Sequence, residues 1–231
     1  MKKLILIPAR GGSKGIPKKN LKLFNNVPLI KYTVDFAIKT FPNDEICLST
    51  DSLEIIDYCK SLGLDSQFIR PQEFSTDTSS SRDVILHALE FFEKKEEFFE
   101  HIILLQPTTP IRNSALKDES FKILNEFPNI DMIVSVKESK ANPYFNLFEE
   151  NNSGFLNKSK KSSAIRRQDC PTVYEFTGSY YLIKVSSIKE KPIYLFENIK
   201  KIVVSNPTEN IDLDTFLDWE YGEILLKKFN Q

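Results

Sequence analysis

The sequence predicts an α/β protein, in which helices cover both faces of a mostly parallel sheet. From residue 4 to residue 136, short apolar runs typical of buried strands alternate with stretches of helical periodicity. Such alternation indicates βαβ units, whose crossover helices pack on the sheet. The run Leu4–Ile7 leads directly into a glycine-rich basic segment, at the position where open α/β sheets bind phosphate groups.

Turn and capping residues divide the chain into elements. Pro28 is expected in the first turn of the first helix, and Gly63 is expected to close the second helix as its C′ residue. The predicted strands are the runs at residues 4–7, 45–50, 67–70, 101–105, 132–136, 179–183 and 202–204. The predicted helices, with apolar residues at helical spacing, lie within residues 27–41, 51–62, 82–92, 114–127 and 215–228. The last helix carries one apolar face, formed by Leu217, Tyr221, Ile224 and Leu225.

Length and composition narrow the class of protein. The 231 residues suit one α/β domain, and 41% hydrophobic residues are ample for a core. A net charge of −1 argues against a general nucleic-acid binder, and no apolar run approaches the ~18 residues of a membrane span. The three cysteines have no metal-ligand spacing, which indicates reduced thiols in a cytoplasmic protein.

Residues 142–175 interrupt this alternation with a long polar stretch. Asn151 to Gly154 is a hairpin turn signal, and residues 145–148 and 154–156 are the expected arms of the hairpin. An excursion of this length from a compact sheet usually has a function, such as a lid or a dimer arm.

The first loop is strongly basic. Between residues 10 and 22 there is no acidic side chain, and the cations are Arg10, Lys14, Lys18, Lys19 and Lys22. The segment matches neither the Walker pattern nor the dinucleotide pattern G-x-G-x-x-G. A basic run alone is more often a solvated surface. Three glycines between the cations, directly after a buried strand, favour a polyphosphate site instead, because glycine lets backbone N–H groups approach an anion.

A pair of carboxylates precedes the last helix. Asp212 and Asp214 are two residues apart, so in an extended segment both side chains point the same way. Two hard oxygen donors beside a polyphosphate loop suit Mg²⁺. The alternative is a helix N-cap, for which Asp214 alone would serve.

Other polar residues follow predicted strands or lie in the excursion. Gln106 to Arg112 follow the strand at 101–105, and Arg70 ends the short strand at 67–70. The carboxyl ends of strands are where α/β sheets bind ligands, although a proline-rich connector is the other interpretation of residues 106–112. Arg166 and Arg167 suit a carboxylate, although solvent-exposed arginines are commoner.

Together these residues resemble the acylneuraminate cytidylyltransferases, the CMP-sialic acid synthetases. Residues 8–20 match the first-loop signature Pro-Ala-Arg-x-x-Ser-Lys-Gly-x-Pro-x-Lys-Asn. Further similar segments follow in order over nearly the whole chain: Ser49-Thr50-Asp51, Arg70-Pro71, Asp77-Thr78, Leu104 to Arg112, Arg167-Gln168, Thr177-Gly178 and Ile211 to Thr215.

The resemblance implies a Rossmann-like nucleotidyltransferase domain spanning residues 1–231, with a β-hairpin dimerisation arm at about 138–178 and a homodimeric assembly. It implies CTP and a nine-carbon 2-keto sugar acid as substrates. The implied CTP contacts are Ala9, Arg10, Ser13, Lys14, Lys19, Asn20 and Arg70. Gln106 and Arg167 would face the sugar acid. Asp212 and Asp214 would bind Mg²⁺ or Mn²⁺, and with Arg10, Lys14 and Lys19 they form the implied catalytic set.

One position departs from the resemblance. Some members carry a second arginine eight residues after the position of Arg167, where this chain has Glu175. Glutamate cannot pair with a carboxylate, so the sugar site is expected to differ. The alternatives are a cytidylyltransferase acting on Kdo, a GT-A-like glycosyltransferase and a non-catalytic nucleotide-binding regulator. The basic first loop and the carboxylates near the C-terminus disfavour the glycosyltransferase and the regulator. The resemblance favours transfer of CMP from CTP to a nonulosonic acid over Kdo, because Kdo cytidylyltransferases lack the Ser-Lys-Gly before the Lys-Asn pair of the first loop.

Overall fold

The computed structural model describes residues 2–229 and contains a six-stranded central sheet. The strands are β1 (Lys3–Pro8), β2 (Leu23–Phe24), β3 (Val27–Pro28), β4 (Glu45–Ser49), β5 (His101–Leu104), β6 (Met132–Glu138), β7 (Phe148–Glu150), β8 (Leu156–Lys158), β9 (Tyr174–Lys184) and β10 (Ile199–Val203). The helices are α1 (Leu29–Thr40), α2 (Leu53–Ser61), α3 (Ser81–Glu93), α4 (Ala115–Glu126), α5 (Val185–Glu190) and α6 (Phe216–Phe229).

The sheet order is β10-β6-β9-β5-β1-β4, and it confirms the predicted α/β class with a mainly parallel sheet. Strand β1 pairs in parallel with β4 and β5, and β10 pairs in parallel with β6. Alternate side chains of β1 enter two separate apolar layers: Ile5 and Ile7 pack in one, Leu4 and Leu6 in the other. Both faces are therefore buried, as a parallel sheet requires.

Two strands differ from the sequence prediction. Residues 67–70 form no strand; the Arg70 N–H donates to Thr50 O at 2.7 Å, but Pro71 has no N–H to continue a ladder. Strand β9 is longer than the predicted 179–183 and antiparallel to both β5 and β6. Its direction follows from its connection, because the chain returns from β6 without a crossover helix.

Side chains cap the helices that position the cleft described below. The Ser52 side chain accepts from the Ile55 N–H at the start of α2, and Ser80 and Asp83 form a capping box at the start of α3. Gly63 follows α2 with φ +89°, in agreement with its predicted C′ position. Within residues 2–229, no helix is long and apolar enough to cross a bilayer.

Helix α6 packs with a different face from the one its pattern predicts. Trp219 and Leu226 are buried, whereas Leu217, Tyr221 and Ile224 are exposed. The buried face is set by Gly222, where an added Cβ would come within 3.0 Å of the Phe24 ring. Three residues of the predicted apolar face therefore point outward, while the fourth, Leu225, is partly buried against the domain.

Residues 139–173, here called the arm, connect β6 to β9. The arm is closed at its base where the Ser139 N–H donates to Val173 O at 3.0 Å. It carries the β7–β8 hairpin, a few residues later than predicted, because Asn142 organises residues 145–147 into a turn. The Asn151 side chain accepts from the N–H groups of Ser153 and Phe155 and closes the hairpin.

Candidate active site

A cleft of about 520 Å³ opens at the carboxyl ends of β1 and β5. The first loop, the loop after β5, the start of α3 and the segment before α6 form its walls. Its lining residues are Pro8, Arg10, Ser13, Lys14, Gly15, Lys19, Asn20, Arg70, Ser79, Ser80, Ser81, Val84, Leu104, Gln106, Pro107, Thr108, Asp212 and Asp214. Of the predicted site residues, only Ala9 and Arg167 are not in this lining; Ala9 is buried directly beside it.

Lys19 joins the first loop to the segment before α6. Lys19 is only 8% exposed, and its ammonium group donates to Leu213 O at 2.7 Å and to Asp214 Oδ1 at 2.9 Å. The neighbouring Asn20 side chain donates to Arg10 O at 2.9 Å and fixes the course of the loop. These bonds hold the first-loop cations beside the carboxylate pair, although almost 200 residues separate them in the sequence.

Gly15 is where the two segments come closest. A Cβ built on Gly15 would lie 2.1 Å from the Asp214 carbonyl oxygen, a distance that no side chain can occupy. By contrast, a Cβ on Gly12 would meet nothing within 4 Å. The packing of the cleft therefore requires a glycine at position 15 but not at position 12.

Asp212 and Asp214 both face the cleft. Burial raises the pKa of Asp212 above its usual value, and the nearby Asp214 carboxylate raises it further. Helix α6 is capped by Thr215 instead, whose Oγ1 accepts from the Asp218 N–H at 3.2 Å while its N–H donates to Asp218 Oδ2 at 2.7 Å. The N-cap interpretation of Asp214 is therefore wrong.

This carboxylate pair fits a divalent cation. Across residues 2–229 no group of three or more His, Cys, Asp or Glu ligands is assembled for a metal. Mg²⁺ does not need one, because it commonly uses one or two carboxylates and completes its shell with water and substrate phosphates. Burial first, and then the Asp214 carboxylate, raise the pKa of Asp212, while Lys19 opposes this effect and pairs with Asp214 at 2.9 Å.

Arg70 is a buried cation in the cleft wall with unused hydrogen-bonding capacity. It is 4% exposed, and its Nε and Nη2 atoms have no hydrogen-bond partner among the described residues. Burial lowers its pKa, an effect that Asp51 partly opposes. A buried, unsatisfied guanidinium is costly, and a ligand that supplies acceptors removes that cost.

Arg112, by contrast, is partly buried, and each of its three guanidinium nitrogens donates a hydrogen bond within the protein. Its guanidinium donates to Ser179 O at 2.7 Å, to Thr33 Oγ1 at 2.9 Å and to Gln106 O. Burial lowers its pKa to about 9. Arg112 thus holds the loop after β5 against β9 and α1, which makes it structural.

The loop after β5 also depends on β9. Gly178 has φ +77°, and a Cβ there would lie 2.8 Å from Gln106 Oε1. The sequence singled out residues 106–112 but gave Thr108 no role of its own; its carbonyl accepts from the Leu213 N–H at 2.9 Å, and its side chain lowers the pKa of Asp212. Sequence reasoning also missed Ser79 to Ser81 as a wall of the cleft; their only signal was a polar loop before a helix.

The structure does not bring Arg167 into the cleft. Its guanidinium donates to Ser139 O at 3.0 Å, at the base of the arm. The neighbouring Arg166 pairs with Asp169 at 3.0 Å. Glu175, at the position of the departure noted above, pairs with Lys137 at 3.1 Å across β6 and β9.

A mainly parallel sheet with several cations and paired carboxylates at the carboxyl ends of its strands is an arrangement that suits the binding of nucleotide phosphates. The profile of the family described as cytidylyltransferase matches residues 4–228. The chain belongs to this family and is a nucleotidyltransferase enzyme.

Two relatives and one solved structure are similar over nearly their whole length. The CMP-N,N'-diacetyllegionaminic acid synthase of Legionella pneumophila is 31% identical over 98% of this chain and 97% of its own length. The pseudaminic acid cytidylyltransferase of Campylobacter jejuni is 30% identical over 98% of this chain and 97% of its own. The structure of CMP-2-keto-3-deoxy-manno-octonic acid synthetase with CTP superimposes with a TM-score of 0.72 at 15% identity, covering 99% of this chain and 100% of the other.

Proposed function

We propose that the protein transfers CMP from CTP to the anomeric hydroxyl of a nonulosonic acid and releases pyrophosphate. The observation that carries this proposal is Arg70, a buried cation with two nitrogens that have no hydrogen-bond partner among the described residues, in a cleft also lined by the first-loop cations and the carboxylate pair. Both relatives named above, at 30–31% identity over nearly the full chain, are named for nonulosonic acids. The Kdo-type neighbour, at 15% identity, supports the fold alone.

The chain's own residues would act by positioning and charge stabilisation. The anomeric hydroxyl oxygen attacks the α-phosphorus of CTP and loses its proton to water. The bond between that phosphorus and the α,β-bridging oxygen breaks, and this oxygen leaves with pyrophosphate. Arg10, Lys14 and Lys19, which line the cleft, would stabilise the negative charge that develops on the departing pyrophosphate. Arg70 would offer its free donors to the nucleotide, and Gln106 would face the sugar acid.

Asp212 and Asp214 would hold Mg²⁺, or Mn²⁺ in its place. When bound, this ion would neutralise phosphate charge and lower the pKa of a coordinated hydroxyl. Lys19 and the ion would then both contact Asp214. The hydrogen bond from the Lys19 ammonium group to Leu213 O would keep this side chain in place. We place the reaction in the cytoplasm, a location with which the three free cysteines agree.

A pyrophosphate-release assay tests the proposal. CTP and Mg²⁺ are supplied with neuraminic, legionaminic or pseudaminic acid, with Kdo as the control acid and ATP as the control nucleotide. Release with CTP and at least one nonulosonic acid, well above release with Kdo or ATP, is the expected result. Equal turnover with ATP would contradict cytidylyl transfer, and turnover with Kdo alone would move the substrate to the octulosonic class.

We also propose that the enzyme is a homodimer. Phe155, Leu156 and Ile165 of the arm are 66–88% exposed, and the arm has no core of its own in which to bury them. Leu217, Tyr221 and Ile224 of α6 are exposed too. Two exposed apolar surfaces on one chain are best explained by contact with a second copy.

Sedimentation at micromolar concentration tests the assembly. The wild type should sediment as a dimer, and a variant lacking residues 145–158 should sediment as a monomer with little activity. The double variant Phe155→Ser, Leu156→Ser should weaken the dimer without shortening the arm. A fully active wild-type monomer would contradict the proposal.

A further inference from the structure

The loop at residues 75–80 places a carboxylate on two of the first-loop cations. Asp77 Oδ1 accepts a hydrogen bond from Arg10 Nη1 at 2.6 Å, and Asp77 Oδ2 lies 3.0 Å from Lys14 Nζ. Within residues 2–229, no other acidic side chain forms an ion pair with either cation. Each oxygen of the Asp77 carboxylate thus contacts one of the two cations that, under the proposed function, bind the phosphates of the nucleotide.

We propose that Asp77 is an anion gate: it occupies Arg10 and Lys14 when no nucleotide is bound, and a polyphosphate must displace it to enter the cleft. This inference rests on the proposed function only in taking the first loop as the phosphate site. Nothing else in it depends on the sugar acid or on the metal.

The strength of the contact suits such an exchange. The side chains of Arg10, Asp77 and Lys14 are 33%, 38% and 78% exposed, so water and salt weaken both ion pairs. Hydrogen bonds from Lys14 and then from Arg10 lower the pKa of Asp77, so its carboxylate is charged at neutral pH. A polyphosphate carries more charge and more acceptor oxygens than one carboxylate. When it is present, it therefore displaces Asp77 and binds Arg10 and Lys14.

Displacement of Asp77 would also release a wall of the cleft. Inside the loop, Thr76 Oγ1 and Ser79 Oγ are hydrogen-bonded at 2.8 Å, and Ser79 Oγ donates to Glu73 O at 3.0 Å. As far as residues 2–229 show, the only hydrogen bonds or ion pairs from this loop to the first loop are those of Asp77. Ser79 and Ser80 line the cleft, so phosphate binding and the position of this wall are coupled.

Titration calorimetry with inorganic pyrophosphate tests the gate without any turnover. Asp77→Asn removes the competing charge at nearly unchanged shape and should bind pyrophosphate about fivefold to tenfold more tightly, a change of ~1–1.4 kcal/mol. Asp77→Glu keeps the charge and should bind nearly as the wild type does. Asp65→Asn is the matched control, because Asp65 is exposed and lies 3.9 Å from its own lysine partner, Lys60; its affinity should not change.

Hydrogen exchange supplies a second readout, on the wild type itself. Pyrophosphate should raise amide exchange in residues 75–80 of the wild type and should leave it unchanged in Asp77→Asn, where it is already high. Equal or weaker binding by Asp77→Asn, or unchanged exchange in the wild type, would overturn the gate while the phosphate site stands. Failure of both proteins to bind pyrophosphate would overturn the phosphate site, and the gate with it.

Discussion

The nucleotide side of the cleft and the arm are built in opposite ways. In the cleft, the key polar contacts join residues far apart in sequence: Lys19 donates to Asp214, and the Leu213 N–H donates to Thr108 O. In the arm, many polar contacts are local, such as Arg166 with Asp169 three residues later. Large apolar side chains of the arm are exposed, and Phe155 is 70% exposed.

Under the proposed function, this difference separates the two halves of the reaction. The folded sheet and its loops hold the cations and carboxylates of the nucleotide side in place, so one chain would supply this half by itself. Arg167, the predicted contact of the sugar acid, lies outside the cleft, on an arm with unburied apolar surface. The acid side is therefore expected to be completed by a second copy.

Loss of either carboxylate of the pair on the nucleotide side should produce the largest effect on turnover. Asp212→Asn or Asp214→Asn should lower turnover by about a hundredfold or more, the loss seen when one preorganised charge contact is removed from a transition state. Initial rates at saturating CTP and Mg²⁺ provide the measurement.

The two variants should differ in stability, which separates them from simple misfolding. Asp212→Asn should keep or slightly raise Tm, because burial and Asp214 disfavour the Asp212 carboxylate. Asp214→Asn should lower Tm slightly, since the nearly buried Lys19 loses its charged partner. Turnover like that of the wild type in both variants would remove the metal site from the proposal.

A glycine substitution tests how tightly the two segments of the cleft are joined. Gly15→Ala should push the Asp214 segment away and lower kcat by roughly tenfold to a hundredfold, because small displacements of catalytic groups are costly. Gly12→Ala is the matched control in the same loop, and it should keep nearly full activity, since its Cβ meets nothing within 4 Å. If both variants behaved alike, the close contact with Asp214 would not matter for catalysis.

The sequence predicted those parts of the site that short, local residue patterns identify. The glycine-rich basic loop after Leu4–Ile7 and the pair Asp212 and Asp214 both lie in the cleft, as expected from their place before or after a regular element. The antiparallel direction of β9 was not predicted, because direction depends on how the chain returns from the arm and leaves no trace in residue periodicity.

Contacts between distant segments were also beyond local patterns. Nothing near Asp77 in the sequence indicates that it pairs with Arg10 and Lys14. The periodicity of α6 predicted the wrong buried face. The face that packs on the domain contains Gly222, a residue that no hydrophobicity pattern marks. Residue patterns give an apolar face, but they do not say which surface covers it.

The arginines Arg70 and Arg112 allow a smaller and more selective test of the nucleotide side. Arg70→Met should weaken CTP binding by about tenfold or more, since charge-assisted hydrogen bonds are worth ~1.5–3 kcal/mol. The same change should raise Tm by ~2–4 °C if about 1 kcal/mol of desolvation cost is recovered.

Arg112→Met is the control for Arg70→Met. Arg112 satisfies Ser179 O, Thr33 Oγ1 and Gln106 O, so its loss should lower stability by roughly 3 kcal/mol at about 1 kcal/mol for each hydrogen bond. Calorimetric scans and CTP titrations of both variants give the comparison. A lower Tm for Arg70→Met would show that its guanidinium is satisfied within the protein and is not reserved for a ligand.

The arm should give the smallest effect, and one confined to a single substrate. Arg167→Ala should raise KM for the sugar acid by about tenfold, as the loss of one charge-assisted hydrogen bond implies, and should change KM for CTP by less than about twofold. Arg166→Ala is the matched control, because Arg166 is held by Asp169 within the same turn and should alter neither constant by much. The split is informative because the single chain places Arg167 on the arm, away from the cleft walls. A selective effect on the acid therefore requires the arm to reach a cleft from outside, as a second copy would allow. Equal changes in both KM values would instead indicate that Arg167 only supports the base of the arm through Ser139, and the acid would then be bound by residues of the cleft itself.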